Sequence, residues 1–187
     1  DPTLRQVDLG GNLLVVVSDT VGFVQSLPHE LVDAFRATLE EVMEADLILH
    51  VRDIADSESQ TQKSVVESTL QQLGLDGDDA PMLVEVLNKC DLAPQVSTTI
   101  TADLAGSRLA ISAINGDGVD VLCSFLRRWV RRDWVMQTLR IPVADGASIA
   151  WCYQHGDVES LTMDGELAVV RCLLPAEKVA QTGEFNG

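Results

Sequence analysis

Two short polar motifs, each placed directly after an apolar run, carry the residues of this chain that are best suited to chemistry. Asn88, Lys89 and Asp91 follow the run at residues 82–87. The carboxylate of Asp91 could accept hydrogen bonds from the N1–H and 2-amino groups of guanine, whereas adenine would leave it unpaired. Lys89 could lay its alkyl stem across the base, and Asn88 could tie the loop to a phosphate-binding loop. This spacing predicts guanine recognition, and the alternative is a solvated turn.

Asp19 and Gly22 form the second motif, after the apolar run at residues 13–18. A carboxylate at this position can hold Mg²⁺ through a water molecule, and a glycine lets its backbone N–H approach a γ-phosphate. A D-x-x-G pattern is common by itself, so a simple turn after a strand is the alternative.

Ser112 and Ala113 give a third, weaker signal, because they follow a strand-like run at residues 108–111. In parallel α/β sheets, ligands bind just beyond the carboxyl ends of the strands. All three motifs occupy such positions in the expected order, and together they predict one nucleotide site.

The pattern of elements supports this sheet. Apolar runs of strand length alternate with segments of helical periodicity, which predicts βαβ units and a parallel sheet covered on both faces. Ser57 is the predicted N-cap of the second helix. We predict a hairpin over residues 5–18, strands at 47–51, 82–87 and 108–112, and helices at 30–44, 57–73 and 118–132.

After residue 132 the pattern changes to short alternating runs, at residues 149–153 and 167–173, separated by glycines. These runs predict strands in a small α+β appendage, and hence two domains, at residues 1–133 and 134–187. Arginines gather at the end of the preceding helix, where they suit the helix dipole; a ligand-binding basic patch is the alternative. They are Arg127, Arg128, Arg131 and Arg132.

Composition limits the possible partners. The net charge of −16 opposes free attraction to phosphate backbones, so we expect no DNA partner, although a local basic patch could still contact a nucleoprotein. The cysteines show no metal-ligand spacing and are expected to be free thiols. No apolar run is long enough to span a bilayer.

The chain resembles the HflX-type GTPases, translational GTPases related to the Obg group. The resemblance rests on D-P-T-L-R at residues 1–5, D-T-V-G-F-V at 19–24, L-P-H at 27–29 and A-F-R-A-T-L-E-E at 34–41. It runs to about residue 133 and is most specific around residues 19–41. The last 50 residues are similar, more loosely, to the small C-terminal domain of that family.

The resemblance implies a P-loop NTPase-like G domain that binds GTP or GDP with Mg²⁺ and hydrolyses GTP slowly. It also implies a cytoplasmic protein that associates with the large ribosomal subunit and splits ribosomes, with peripheral membrane association left open; the oligomeric state stays open. Phe23 stands where many GTPases have a water-orienting glutamine, so catalysis would recruit another group, one that the ribosome could supply.

By match to the family motifs, Asp19 would serve Mg²⁺ and Gly22 the γ-phosphate. Thr3 would serve the metal through the first switch; the alternative is a metal-contacting threonine just upstream of residue 1. The guanine base would contact Asn88, Lys89 and Asp91, and also Ser112 and Ala113 through the loop backbone.

The printed sequence departs from the family because it contains no G-x-x-x-x-G-K-[ST] loop. The strand that precedes this loop normally lies between the strands expected at residues 13–18 and 47–51. We therefore expect a truncated G domain with a donated strand, a direct pairing of these two runs, or an open gap. The alternative function is an inactive ribosome-binding module or a relic.

Overall fold

The computed structural model describes residues 3–11, 13–19, 42–77, 80–101 and 104–185. These residues form two compact units, the first drawn from residues 1–5 and 16–124 and the second from 6–15 and 125–187. The division into domains at residues 133 and 134 stays a prediction, because spatial units do not define folding domains. Within the described part of the chain, no helix is both long and apolar enough to cross a membrane.

A three-stranded parallel sheet forms the centre of the first unit and confirms the predicted α/β fold class. Its middle strand, β4 (Met82–Asn88), buries Val84 and Val86 almost completely, as expected of a central parallel strand. The elements of this region are β3 (Leu47–Asp53), α1 (Ser59–Gln72), β4 (Met82–Asn88), β5 (Arg108–Ala110) and α2 (Val119–Val130).

The predicted hairpin is confirmed, as β1 (Thr3–Asp8) and β2 (Leu14–Asp19) pair with each other. Of the three outcomes expected for the runs at residues 13–18 and 47–51, a direct pairing of β2 with β3 does not occur among the described residues. β2 pairs only with β1, and β3 pairs only with β4, so these two strands do not pair directly. Val16 and Val51 are accordingly 68% and 58% exposed. No described strand pairs with both β2 and β3, so the described residues contain no donated strand between them.

Arginines from the end of α2 bind the turn of this hairpin, within the second unit. Arg127 Nη1 donates to the carbonyl oxygen of Leu9 at 2.7 Å, and Arg131 Nη2 donates to that of Gly11 at 3.5 Å. Arg132 donates to the Trp129 carbonyl in the last turn of α2, as the helix-end interpretation predicts. Three of the four arginines thus bind backbone carbonyl oxygens.

The second unit contains a three-stranded antiparallel sheet. Its middle strand is β8 (Leu167–Pro175), and its outer strands are β6 (Trp134–Pro142) and β7 (Asp157–Asp164). One face of the sheet packs against α3, and Cys152 on the helix and Cys172 on β8 are fully buried free thiols in that core. The elements are β6 (Trp134–Pro142), α3 (Gly146–His155), β7 (Asp157–Asp164), β8 (Leu167–Pro175), α4 (Ala176–Val179) and a 3₁₀ segment (Ala180–Phe185).

Two predictions of local structure are wrong. Residues 149–153 belong to helix α3 and not to a strand, because Asp145 caps the helix by accepting from the Ser148 backbone N–H. Ser57 does not cap α1; Asp56 instead accepts from the Glu58 backbone N–H at 2.8 Å. The helix predicted at residues 30–44 lies almost wholly outside the described residues.

Glu85 on β4 is the centre of a charged cluster between the sheet and α1. Its carboxylate pairs with Arg52 on β3, Lys63 on α1 and Arg108 on β5, while its side chain is only 11% exposed. Burial raises the pKa of Glu85, but the hydrogen bond and charge of Lys63, aided by both arginines, outweigh burial and lower the pKa overall. The cluster fixes the strands that end at the candidate site.

Glu85 is expected to make stability depend on acid. Because its pKa is lower in the folded than in the unfolded chain, its contribution is complete at neutral pH and is lost as the pH falls below about 4.5. Urea unfolding from neutral pH into this range should show a smaller loss of free energy in Glu85→Gln than in the parent. Glu159→Gln, which breaks an exposed pair with Arg171, is the control. Equal losses in Glu85→Gln and the parent would contradict the expectation.

Candidate functional site

Asn88 joins two loops at the carboxyl edge of the parallel sheet. Its side-chain Oδ1 accepts from the backbone N–H of Lys89 at 2.9 Å and from that of Ala113 at 3.0 Å. The backbone N–H of Cys90 also donates to the carbonyl oxygen of Ile111 at 3.0 Å. The sequence predicts that Asn88 ties its loop to a phosphate-binding loop. In the structure its side chain binds the loop after β5.

Asp91 lies in a single 3₁₀ turn (Cys90–Leu92) directly after this junction. Lys89 enters the turn with a left-handed backbone, φ 65°, which redirects the chain away from β4. Asp91 is exposed, and its carboxylate accepts no hydrogen bond from any other described residue. Both oxygens can therefore accept hydrogen bonds from a ligand.

The loop after β5 is closed by its own backbone. The Ser112 N–H donates to the Asp117 carbonyl oxygen at 2.8 Å, and the Gly116 N–H donates to the Ser112 carbonyl oxygen at 2.9 Å. Ser112 is fully buried, and its hydroxyl has no hydrogen-bond partner in the described part of the chain. Since the Ala113 N–H is already bound to Asn88, a base would compete with Asn88 for it.

Asp53, at the end of β3, is a site residue that sequence reasoning missed. Its Oδ2 lies 2.5 Å from Lys89 Nζ, and its Oδ1 accepts from the Ala55 backbone N–H at 3.0 Å. The hydrogen bond with Lys89 lowers the pKa of Asp53, and the same bond raises the pKa of Lys89. Both groups are charged at neutral pH.

The residues predicted to bind phosphate and metal are only partly described by the structure. Asp19 ends β2 and is exposed, but strand pairing does not connect it to the parallel sheet. Thr3 begins β1, and Gly22 lies outside the described residues. A carboxylate oxygen is a ligand type that Mg²⁺ accepts, with phosphates and waters completing an octahedron. Asp19 fits such a role, and the described residues hold no cluster of three metal-ligating side chains.

The arrangement can select a base more readily than it can cleave a phosphate. It offers an exposed carboxylate on a fixed turn, a lysine stem beside it, and a second loop held by Asn88. A purine that presents two adjacent donors would satisfy this carboxylate, and guanine is such a purine.

Comparison with solved structures supports the fold class. The chain matches a GTP-binding protein from Sulfolobus solfataricus, solved in complex with GDP, at a TM-score of 0.52 and 22% identity over 70% of this chain and 45% of that one. At this identity the match shows the fold alone, and it supports the mixed α/β fold class of this chain.

The relatives among curated proteins give the family. The chain is 41% identical over 158 residues to GTPase HflX of Magnetococcus marinus, a match that covers 84% of this chain. It is 35% identical over 171 residues to GTPase HflX of Escherichia coli, which covers 90% of this chain. No protein-family model matches. The chain belongs to the HflX family of GTPases. Its matched residues span 36% and 39% of the lengths of these relatives.

Proposed function

We propose that residues 1–187 supply the guanine-recognition part of the nucleotide site of an HflX-type GTP hydrolase. The observation that carries this proposal is the junction made by Asn88, which binds Lys89 and Ala113 and leaves the Asp91 carboxylate exposed beside them. Family membership independently supports a guanine nucleotide as the ligand.

In the complete site, Asp19 would hold Mg²⁺ through water, and Gly22 would meet the γ-phosphate. Mg²⁺ would neutralise charge on the phosphates during transfer to water. The exposed carboxylate at the end of β2 supports the role of Asp19. The role of Gly22, and that of Thr3 at the metal, rest on motif resemblance alone.

The proposed partner of the whole protein is the large ribosomal subunit in the cytoplasm, and the proposed activity there is ribosome splitting. This proposal rests on family resemblance, and the net charge of −16 requires that any contact with RNA be local. Sedimentation of the chain with purified large subunits tests it. A chain that stays entirely in the supernatant at low salt would contradict a ribosome-binding role for these residues.

Residues 1–187 alone are expected to bind guanine nucleotide weakly and to hydrolyse GTP negligibly. The printed sequence has no G-x-x-x-x-G-K-[ST] loop, and such a loop supplies most contacts to a triphosphate. NMR titration should give a dissociation constant for GDP of about 1 mM, equivalent to about −4 kcal/mol, and weaker binding for ADP.

Two results would overturn parts of this proposal separately. Equal affinity for GDP and ADP would remove the assignment of guanine recognition. A micromolar or tighter constant for GTP with Mg²⁺ would instead show that these residues hold the triphosphate without that loop.

A further inference from the structure

We propose that Asp53 is a positioning residue for guanine recognition, which acts by holding the ammonium group of Lys89 at the end of β3. This role rests on the proposed function, because it assigns Asp53 to the same nucleotide site. It adds a residue from a third strand to the two loops that the motifs identify.

The strand register brings Asp53 to this position. β3 and β4 pair in parallel from Leu47 with Met82 to Asp53 with Asn88. The Ile54 N–H then donates to the Asn88 carbonyl oxygen at 3.2 Å, so the two strands stay together where they end. Asp53 is therefore fixed beside the first residue of the motif.

A hydrogen bond from the backbone orients the carboxylate of Asp53 independently of Lys89. Its Oδ1 accepts from the Ala55 backbone N–H two residues later, which turns Oδ2 towards Lys89 Nζ. Backbone capping of this kind is local and does not depend on Lys89. Asp53 can thus act as a fixed anchor for a flexible side chain.

Lys89 needs such an anchor because little else selects its direction. Its side chain is 50% exposed, and a lysine stem has several rotamers of similar energy. The charges of Asp56 and Asp91 also raise its pKa, so both carboxylates attract its ammonium group. Without Asp53, Lys89 could pair with Asp91 and so occupy the carboxylate that guanine requires.

An exposed ion pair of this kind contributes little to stability. We therefore expect the loss of Asp53 to affect ligand binding more than folding. This difference separates a positioning role from a merely structural one.

The test compares Asp53→Asn with Asp56→Asn by NMR titration with GDP. Asparagine keeps an oxygen for the Ala55 N–H and removes the charge. Asp56→Asn makes the same charge change in the same loop, where Asp56 caps the Glu58 N–H and has no ion pair with Lys89 among the described residues. We expect GDP binding to weaken roughly two- to fivefold in Asp53→Asn and to weaken less in Asp56→Asn, because Asp56 attracts Lys89 by charge alone and forms no ion pair with it.

NMR spectra of the lysine side chains in the same samples monitor the ion pair between Asp53 and Lys89 directly. The chain has only Lys63, Lys89 and Lys178, so the Cε resonances can be assigned and titrated separately. In Asp53→Asn the pKa of Lys89 should fall, while Lys63 and Lys178 serve as internal references. In a Lys89→Met background, Asp53→Asn should weaken GDP binding no further.

The outcomes separate this role from the proposed function. Unchanged GDP affinity in Asp53→Asn, with binding by the parent chain intact, would overturn the positioning role alone. A further loss in the Lys89→Met background would overturn the route through Lys89. A parent chain that binds no GDP at millimolar concentration would overturn the proposed function, and the role of Asp53 with it.

Discussion

Asp91→Asn is expected to replace GDP binding with binding of xanthosine diphosphate. The asparagine amide would donate to the 2-oxo group of xanthine, whereas the 2-amino group of guanine would face a donor instead of an acceptor. A mismatch between polar groups that the bound base covers costs several kcal/mol, which corresponds to a change in preference of about 100-fold or more. NMR titrations of the variant with both nucleotides measure this change.

Asp133→Asn is the control for this exchange, because it removes a carboxylate that is 75% exposed and paired only with Arg132 among the described residues. It should keep the preference of the parent chain for GDP. If Asp91→Asn kept that preference as well, the carboxylate of Asp91 would not be the group that reads the base.

Gly118→Ala is expected to cause the largest loss of stability among the glycine substitutions near the site. Gly118 has φ +73°, and a Cβ there would lie 2.2 Å from the Ala110 carbonyl oxygen and 3.3 Å from Ile111 Cα. Both neighbours are backbone of β5 and its loop, so neither can move aside alone. Strain and overlap together should cost about 2–5 kcal/mol, with a fall in Tm of the order of 10 °C.

Gly116→Ala is matched to this change, because Gly116 also has a positive φ, +88°, but a Cβ there would have no atom within 4 Å beyond its chain neighbours. Its cost should be limited to backbone strain, about 1–2 kcal/mol. Thermal unfolding followed by circular dichroism compares the two. Equal losses would show that close packing of Gly118 on β5 is unimportant.

The sequence predicts the parallel sheet well because its strands are mostly apolar, apart from a few charged residues such as Glu85, and are followed by polar motifs. β4 matches this pattern closely, and the placement of Asn88 at its end follows from it. β2 has an equally apolar run, but its neighbours depend on which strands are present beside it. Periodicity indicates that a strand forms and does not indicate which strand pairs with it.

Helix α3 contains a short apolar run that was wrongly predicted to be a strand. Residues 149–153 alternate like a strand, yet Ile149 and Cys152 lie one helical turn apart and both contact the core of the second unit. The deciding signal lies just before the run, where Asp145 caps the helix at Ser148. Runs of this length cannot be assigned by periodicity alone, so the cap has to be weighed first.

Asp53 was missed for a different reason. In the sequence it is followed by Ile54, Ala55 and Asp56, and it looks like an ordinary turn residue. Its place beside the candidate site depends on the register of β3 against β4, which positions Asp53 opposite Asn88. A carboxylate at the end of the strand beside a lysine-bearing loop was the signal that could have identified it.

The hydrogen bond from Arg127 to the hairpin turn joins residues that are 118 positions apart in the chain. A contact this distant closes a very large loop, so the entropy of closure must be overcome before the bond forms. During synthesis the hairpin precedes Arg127, which follows only after β3, β4 and β5 have been translated. The turn that precedes Asp19 is therefore expected to become fixed late, after β3, β4 and β5 have folded together.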